Sequence, residues 1–200
     1  MRLFAAVRPP AVALDHLEGA LASVGWPGTG PAAPGAVRWT VRENWHVTLA
    51  FYGEVPDGAA EELAAALGDG AATQPPPTVL LRGAGVFAGR TLWVGTGGDT
   101  EGLVALCHVA REAGRGVLGR AEERERVRPH LTVGRQVPVP GGRRRRTSPG
   151  EAEGLAHALA VYSGPLWDAA EVLLVRSRPG RGAGGGPLYE DLASVPVGPY

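Results

Sequence analysis

Residues 45–51 read Trp-His-Val-Thr-Leu-Ala-Phe, and residues 129–135 read Pro-His-Leu-Thr-Val-Gly-Arg. Both stretches contain a histidine, an apolar residue, a threonine and another apolar residue in the same order. Alternate residues of a β-strand point to the same side, so each histidine shares a face with its threonine and the apolar residues face the other way. The pattern predicts two strands that each carry a polar face over a cleft and an apolar face on a core.

The regions around these two stretches read as strands and helices in loose alternation, often with two strands in succession. Strands are predicted at 3–7, 37–41, 47–52, 78–87, 91–96, 129–134, 161–166, 170–177 and 188–195, and helices near 13–24, 58–67, 101–114 and 149–160. This order favours an antiparallel α+β fold over a doubly wound parallel sheet.

Two of the helix starts carry capping signals. Asp57 precedes the helix that begins near Gly58, and aspartate is a common N-cap residue. Ser148 and Glu151 have the spacing of a Ser-x-x-Glu capping box, with Pro149 at the first helical position. We therefore expect side-chain caps from Asp57 and Ser148.

The composition is that of a globular chain with long connections. The 200 residues include 31 glycines and 18 prolines, close to the share of low-complexity chains, but 44% are hydrophobic and the net charge is zero. The length suits one domain, residues 1–200. No apolar run is long enough to span a membrane, and the N-terminal apolar run is too short for a signal peptide, which predicts a cytoplasmic protein.

Two residue counts exclude several chemistries. All twenty cationic residues are arginines, so a Schiff base, a nucleotidyl-lysine intermediate and a P-loop phosphate lysine are excluded. The single cysteine, Cys107, excludes an internal disulfide, a CxxC redox pair and a cysteine-rich zinc site. Zinc bound by His46 and His130 would need a third ligand, and neither motif contains one. No metal and no cofactor are predicted.

The paired motifs suit acid–base chemistry at a phosphate. Histidine has an ordinary pKa of about 6.5, so one imidazole can take a proton from a nucleophile while the other protonates a leaving oxygen. The hydroxyls of Thr48 and Thr132 can orient an oxyanion, and Arg135 can bind a phosphate through two parallel hydrogen bonds. His46 and His130 are thus the candidate catalytic residues, and the set suits phosphodiester cleavage without a metal.

The residues that carry this chemistry also carry a family resemblance. HVTL at 46–49 and HLTVGR at 130–135 resemble the paired motifs of the two-histidine (2H) phosphoesterases, and most closely their LigT-like branch, the RNA 2′,3′-cyclic phosphodiesterases. The likeness extends to RLFAAVRPP near the N-terminus, to the segment around the first motif, to GVFAGRTLWVG and to LLVRSRPG with LYEDL near the C-terminus. It therefore covers most of the chain.

The resemblance implies a bilobal α+β fold, with two pseudo-symmetric lobes of antiparallel sheet, outer helices and a central cleft. It implies hydrolysis of RNA 2′,3′-cyclic phosphate ends to 2′-phosphomonoesters, with His46 as proton donor to the leaving 3′ oxygen and His130 as the base that activates water. It also implies a possible reverse reaction that joins RNA ends through a 2′–5′ linkage. RNA ends, tRNA fragments among them, are the expected partners, and no obligate protein partner is evident.

Other interpretations of the same residues remain open. The site also suits small cyclic nucleotides or cyclic phosphates of metabolites. A non-catalytic RNA-binding module would depend instead on the arginine run 143–146, which also fits a solvated loop. Trp45, Tyr52 and Trp93 could stack on a base, although core packing is favoured for at least two of the three.

Overall fold

The computed structural model describes residues 1–26, 32–119, 128–139, 150–182 and 185–199. These ranges contain the strands β1 (Arg2–Val7), β2 (Val37–Trp39), β3 (Val47–Glu54), β4 (Thr78–Phe87), β5 (Thr91–Gly98), β6 (His130–Gln136), β7 (Trp167–Asp168), β8 (Glu171–Arg178) and β9 (Leu188–Pro196). They also contain the helices α1 (Ala11–Ala22), α2 (Ala59–Ala71), α3 (Thr100–Leu118) and α4 (Glu151–Ala158). Within these parts of the chain, none of the helices combines the length and apolar character that a membrane span needs.

The strands form one continuous sheet in the order β7-β4-β5-β6-β3-β1-β8-β9, with the short β2 paired to β6. Every pairing among the described strands is antiparallel. The order is symmetric about the β6–β3 contact, since four strands lie on each side of it. The predicted α+β fold of two antiparallel lobes is confirmed, and the two motif strands, β3 and β6, meet where the lobes join.

The apolar positions of the motif strands build the core, as the alternation predicted. Val47, Leu49, Leu131 and Val133 are each at most 4% exposed and belong to the main hydrophobic cluster. Helices α2 and α3 pack on the half of the sheet that contains β3, whereas α4 packs on β4 and β5. The opposite face of the sheet carries the polar motif residues and a smaller hydrophobic cluster that includes Phe4, and we call it the cleft face.

The structure corrects three local predictions. Helix α2 has Gly58 as its N-cap in a left-handed conformation (φ 97°) and no side-chain cap, so Asp57 lies one residue too early to cap it. Helix α4 begins at Glu151 after Gly150, later than the predicted start at Pro149. Its reciprocal bond runs from the Gly150 amide to the Glu153 carboxylate (3.1 Å), and the proposed cap Ser148 lies outside the described residues.

The third correction concerns the strand predicted at 161–166. This segment makes only an isolated bridge between Arg82 and Ser163, and the strand β7 starts at Trp167. Pro165 has no amide hydrogen, so a regular ladder cannot continue through it.

Candidate active site

The register between the motif strands brings both His-Thr pairs to one place. Val47 pairs directly with Leu131 across β3 and β6. Continuing this antiparallel register by one residue in each direction sets His46 beside Thr132 and Thr48 beside His130. All four lie on the face opposite Val47 and Leu131, because neighbouring residues of a strand point to opposite sides. The two predicted strands are therefore adjacent, and their polar residues share the cleft face.

The two histidines are diagonal neighbours in this arrangement. Diagonal cross-strand positions lie roughly 7–8 Å apart, within reach of long and aromatic side chains. Consistent with this, the charge of His130 acts on His46 and lowers its pKa. Both rings can thus address a single small group held between them.

A backbone carbonyl orients each imidazole in the same way. His46 Nδ1 lies 2.7 Å from the carbonyl oxygen of Asn44, and His130 Nδ1 lies 2.7 Å from that of Arg128. A carbonyl oxygen only accepts hydrogen bonds, so each Nδ1 carries a hydrogen and donates it. In the neutral ring the lone pair is then on Nε2, which is the nitrogen left for proton transfer.

Thr48 hydrogen-bonds with Nε2 of His46, the ring nitrogen that is left for proton transfer. His46 Nε2 lies 3.1 Å from Thr48 Oγ1, so the hydroxyl donates to the neutral ring or accepts from the protonated one. The i, i+2 spacing in the sequence thus has a direct structural counterpart. Thr132 occupies the equivalent position on β6, on the same face as His130.

A β-bulge in each motif strand decides where the next side chain points. Trp93 pairs with Thr132 but Leu92 pairs with Gly134, so Val133 is an extra residue in β6. A one-residue bulge shifts the alternation of a strand. Arg135 lies five residues after His130 and would face the core in a regular strand. The bulge returns it to the cleft face, where it is exposed.

The same bulge occurs at the equivalent position of β3. Ala6 pairs with Thr48 but Ala5 pairs with Ala50, so Leu49 is the extra residue. Phe51 is therefore the counterpart of Arg135, and it is 44% exposed. The two lobes share backbone geometry, but one presents a cation and the other an aromatic ring, so the cleft is chemically asymmetric.

Aromatic side chains surround His46, and sequence reasoning missed them. The rings of Phe4 and Tyr189 lie 4.9 and 5.2 Å from the imidazole, centroid to centroid. Burial raises the pKa of Tyr189, and the charge of Arg135 opposes this rise, so Arg135 lies near Tyr189. Only the RLFAAV and LYEDL segments, noted for their family likeness, pointed to Phe4 and Tyr189.

Burial makes His46 a neutral imidazole at neutral pH. Its pKa is lowered from 6.5 to about 4, chiefly because the surrounding side chains remove water from the ring. The charges of Arg8 and His130 lower the pKa further, whereas the hydrogen bond to Asn44 and the charge of Asp191 raise it. Arg8 and Asp191 form an exposed ion pair (2.7 Å) beside the ring.

This pKa predicts an acid-sensitive contribution to stability. Between pH 6.5 and about 4 the unfolded His46 is protonated while the folded one is not, so the unfolded state binds more protons and stability falls as the pH falls. Between about pH 7 and about pH 5 we expect a loss of up to about 2 kcal/mol from this group. Urea unfolding of the wild type and of His46→Gln at both pH values measures it. Equal losses in the two proteins would contradict the prediction.

A second aromatic pair lies beside His130. Phe87 and Trp93 are stacked with centroids 5.0 Å apart, and both meet the His130 ring edge-on. A Cβ at Gly85 would collide with the Trp93 indole, so this glycine makes room for the ring across the sheet. Of the three aromatics considered for base stacking, Trp45 and Tyr52 are buried, as was favoured for two of them, and Trp93 lies at the site.

Two further predictions concern the arginine run and metal binding. The arginine run 143–146 lies outside the described residues. Among the residues that are described, no three His, Cys, Asp or Glu side chains form a cluster that could hold a metal ion.

Comparison with known proteins finds a matching family model and related sequences. The family model of the LigT-like phosphoesterases matches residues 31–93. The RNA 2′,3′-cyclic phosphodiesterase of Methanothermobacter thermautotrophicus is 31% identical over 80% of this chain and 83% of its own length. That of Escherichia coli is 32% identical over 70% and 78%.

One relative is much longer, and solved structures share the fold. The RNA 2′,3′-cyclic phosphodiesterase of Geobacillus stearothermophilus is 30% identical over 80% of this chain, which spans about half (47%) of its length. The crystal structures of Thermus thermophilus TT0787 and of E. coli LigT complexed with ATP superpose with TM-scores of 0.70 and 0.68. Each is 23% identical over 98% of both chains, which shows a common fold.

Proposed function

This chain belongs to the LigT-like family of RNA 2′,3′-cyclic phosphodiesterases, and from this membership we propose that it hydrolyses RNA 2′,3′-cyclic phosphate ends to 2′-phosphomonoesters. The observation that carries the proposal is the pairing of Val47 with Leu131, which turns both His-Thr pairs to one face. RNA ends, including those of tRNA fragments, are the proposed substrates. We further propose that residues 1–200 act as one domain in the cytoplasm, without an obligate protein partner.

In the proposed reaction, a water oxygen attacks phosphorus in line with the 3′ oxygen. A new P–O bond forms, the P–O3′ bond breaks, and the phosphate stays on the 2′ oxygen. One imidazole Nε2 takes the proton of the water, and the other gives a proton to the 3′ oxygen as it leaves. With a 5′-hydroxyl in place of water, the same steps join two RNA ends through a 2′–5′ linkage.

The residues divide these tasks as follows. The family resemblance assigns His46 as the acid and His130 as the base. Burial lowers the pKa of His46 to about 4 in the substrate-free protein, so His46 needs help to hold a proton. A phosphodiester anion in the cleft supplies that help, because an opposite charge nearby favours the imidazolium. Thr48 and Thr132 orient the phosphate oxygens, and Arg135 offers the cation on the same face.

The test is hydrolysis of a short RNA that ends in a 2′,3′-cyclic phosphate, with EDTA present. We expect a 2′-phosphate end, identified by chromatography against authentic 2′- and 3′-phosphate standards. Unchanged RNA, a 3′-phosphate product or a strict metal requirement would reject the proposal.

The same assay separates the alternatives. Faster hydrolysis of mononucleotide cyclic phosphates than of oligonucleotides would favour a small cyclic nucleotide as substrate. Unchanged RNA that nevertheless binds, with strong salt dependence, would favour the RNA-binding module.

A further inference from the structure

Arg8 follows β1 directly and lies beside His46. Val7, the last residue of β1, pairs with Val47 in β3, and continuing this antiparallel register sets Arg8 next to His46. Val7 and Val47 are buried in the core, so their neighbours along each chain point to the cleft face. An arginine side chain therefore starts next to the imidazole that the proposed reaction uses as an acid.

The guanidinium group of Arg8 is drawn to the other side of β1. It donates two hydrogen bonds to the carboxylate of Asp191 in β9, from Nη1 to Oδ2 (2.7 Å) and from Nη2 to Oδ1 (3.0 Å). In the sheet, β3 flanks β1 on one side, and β8 followed by β9 lies on the other. With neighbouring strands roughly 4.8 Å apart, the side chain reaches across β8, away from His46.

Asp191 shares the cleft face with Arg8. It is the direct partner of Val175 in β8, and Val175 is the direct partner of Phe4 in β1. Direct partners point to the same side of a sheet, and Phe4 contacts His46 on the cleft face. The ion pair thus lies on the face that carries His46, with both of its side chains partly exposed.

Arg8 does not pair with the nearest acid in the sheet. Continuing the register of β1 with β8 sets Glu171 beside Arg8. The carboxylate of Glu171 accepts a hydrogen bond from Ser194 Oγ (2.5 Å) instead, and it affects Arg8 only through its charge. Arg8 bonds to Asp191, one strand further on, which places the cation further from His46.

The charges around His46 show why this placement matters. In the described part of the chain, the charged or titratable side chains that act on the ring are Arg8 after β1, His130 in β6, and Asp191 and Tyr189 in β9. The positive charges of Arg8 and His130 disfavour the imidazolium, and the negative charge of Asp191 favours it. An unpaired guanidinium beside a protonated His46 would set two like charges at neighbouring positions, which is unfavourable.

We propose that Asp191 is a positioning residue for the reaction: it holds the Arg8 guanidinium over β8 and balances its charge, so that His46 can carry a proton. This inference rests on the proposed function, in which that proton passes from His46 Nε2 to the 3′ oxygen as the P–O3′ bond breaks. Asp191 acts through Arg8 and takes no part in bond making or breaking.

The first experiment follows the His46 ring by NMR as a function of pH, with His46→Gln to identify its signal. Asp191→Asn frees the Arg8 guanidinium, so we expect a lower midpoint pH of the titration. Arg8→Gln leaves a carboxylate nearby, so we expect a higher midpoint. In about 1 M NaCl both displacements should shrink, because salt screens exposed charges. Unmoved midpoints, or midpoints that move in the same direction, would overturn the proposal.

The second experiment measures kcat/KM at neutral pH on an RNA that ends in a 2′,3′-cyclic phosphate. We expect Asp191→Asn to lower kcat/KM about threefold and Arg8→Gln to raise it about threefold, the size of effect typical of a partly exposed ion pair. The double variant should lie between the two. A loss in Arg8→Gln without one in Asp191→Asn would mean that Arg8 itself binds substrate, and no change in either would mean that the pair does not act on the reaction. Both results overturn the proposal.

A matched control separates a structural effect from the charge effect. Glu190, the neighbour of Asp191 in β9, points to the other face and pairs with Arg176 and Arg178. Glu190→Gln removes the same charge from the same strand, and it should change neither the midpoint nor kcat/KM. Equal losses of kcat/KM in Glu190→Gln and Asp191→Asn would indicate a structural role and overturn the proposal.

The titration also separates this proposal from the proposed function. If the wild type does not cleave the RNA, the proposed function fails, and the NMR midpoints alone decide the role of Asp191. Opposite displacements in Asp191→Asn and Arg8→Gln then support its control of the charge beside His46, and unmoved midpoints overturn it.

Discussion

Replacing His130 by alanine is expected to slow the hydrolysis of an RNA 2′,3′-cyclic phosphate roughly 10²–10⁴-fold, the range for loss of a general acid or base. The variant lacks the Nε2 that faces the cleft, whereas the carbonyl of Arg128, which orients the ring, stays in place. Replacing His46 should cost a similar factor. The measurement is kcat under single-turnover conditions for both variants.

The two histidines should act as a unit. If each carries one of two proton transfers in the same step, the double variant should lose little more than either single one, because effects of residues that act together are not additive. His108→Ala is the matched control, since His108 is exposed on α3, away from the cleft face. A rate for His130→Ala within fivefold of the His108→Ala rate would remove His130 from the proposed mechanism.

Trp45→Ala is expected to destabilise the fold by about 3–5 kcal/mol, as for other fully buried tryptophans. Its side chain is fully buried, its Nε1 donates to the carbonyl of Thr40 (3.1 Å), and its ring packs on Trp26 with centroids 5.3 Å apart. The substitution leaves a cavity and removes the shorter of two indole hydrogen bonds to that carbonyl, the other coming from Trp26 Nε1 (3.5 Å). Urea unfolding followed by circular dichroism measures the change in free energy.

The exposed Val161 provides the comparison for this prediction. It is 92% exposed, so Val161→Ala should change the free energy of unfolding by no more than about 0.5 kcal/mol. Because Trp45 precedes His46 directly, Trp45→Ala should also lower activity at temperatures where it is still folded. A destabilisation below about 1 kcal/mol would mean that the core around Trp45 relaxes to fill the space.

The repeated motif was sufficient to predict which of its side chains face the cleft and which face the core. The i, i+2 spacing of His and Thr, with apolar residues between, is a local property of an extended strand and needs no knowledge of the partner strand. The core positions of Val47 and Leu131 follow from the same alternation. The helix caps were less well predicted, because Gly58 and Gly150 begin their helices at positions that backbone conformation decides.

The neighbours of the histidines were beyond the reach of local patterns. Phe4 and Tyr189 contact His46 from strands at opposite ends of the chain, and their spacing in the sequence carries no sign of that contact. The low pKa of His46 depends on this burial, so it too was not predictable. Arg8 directly follows β1, so the pairing of β1 with β3 also brings its charge near His46.

The sequence by itself determined which residues share a strand face, so that each motif carries an imidazole and a hydroxyl on one face and two core residues on the other. Only the tertiary structure decided how the two faces are aligned and where Arg135 points. Register and bulges are properties of a pair of strands, and they depend on hydrogen bonds between residues far apart in the chain. Arg135 illustrates the difference: in a regular strand it would face the core, and only the bulge at Val133 turns it to the cleft face.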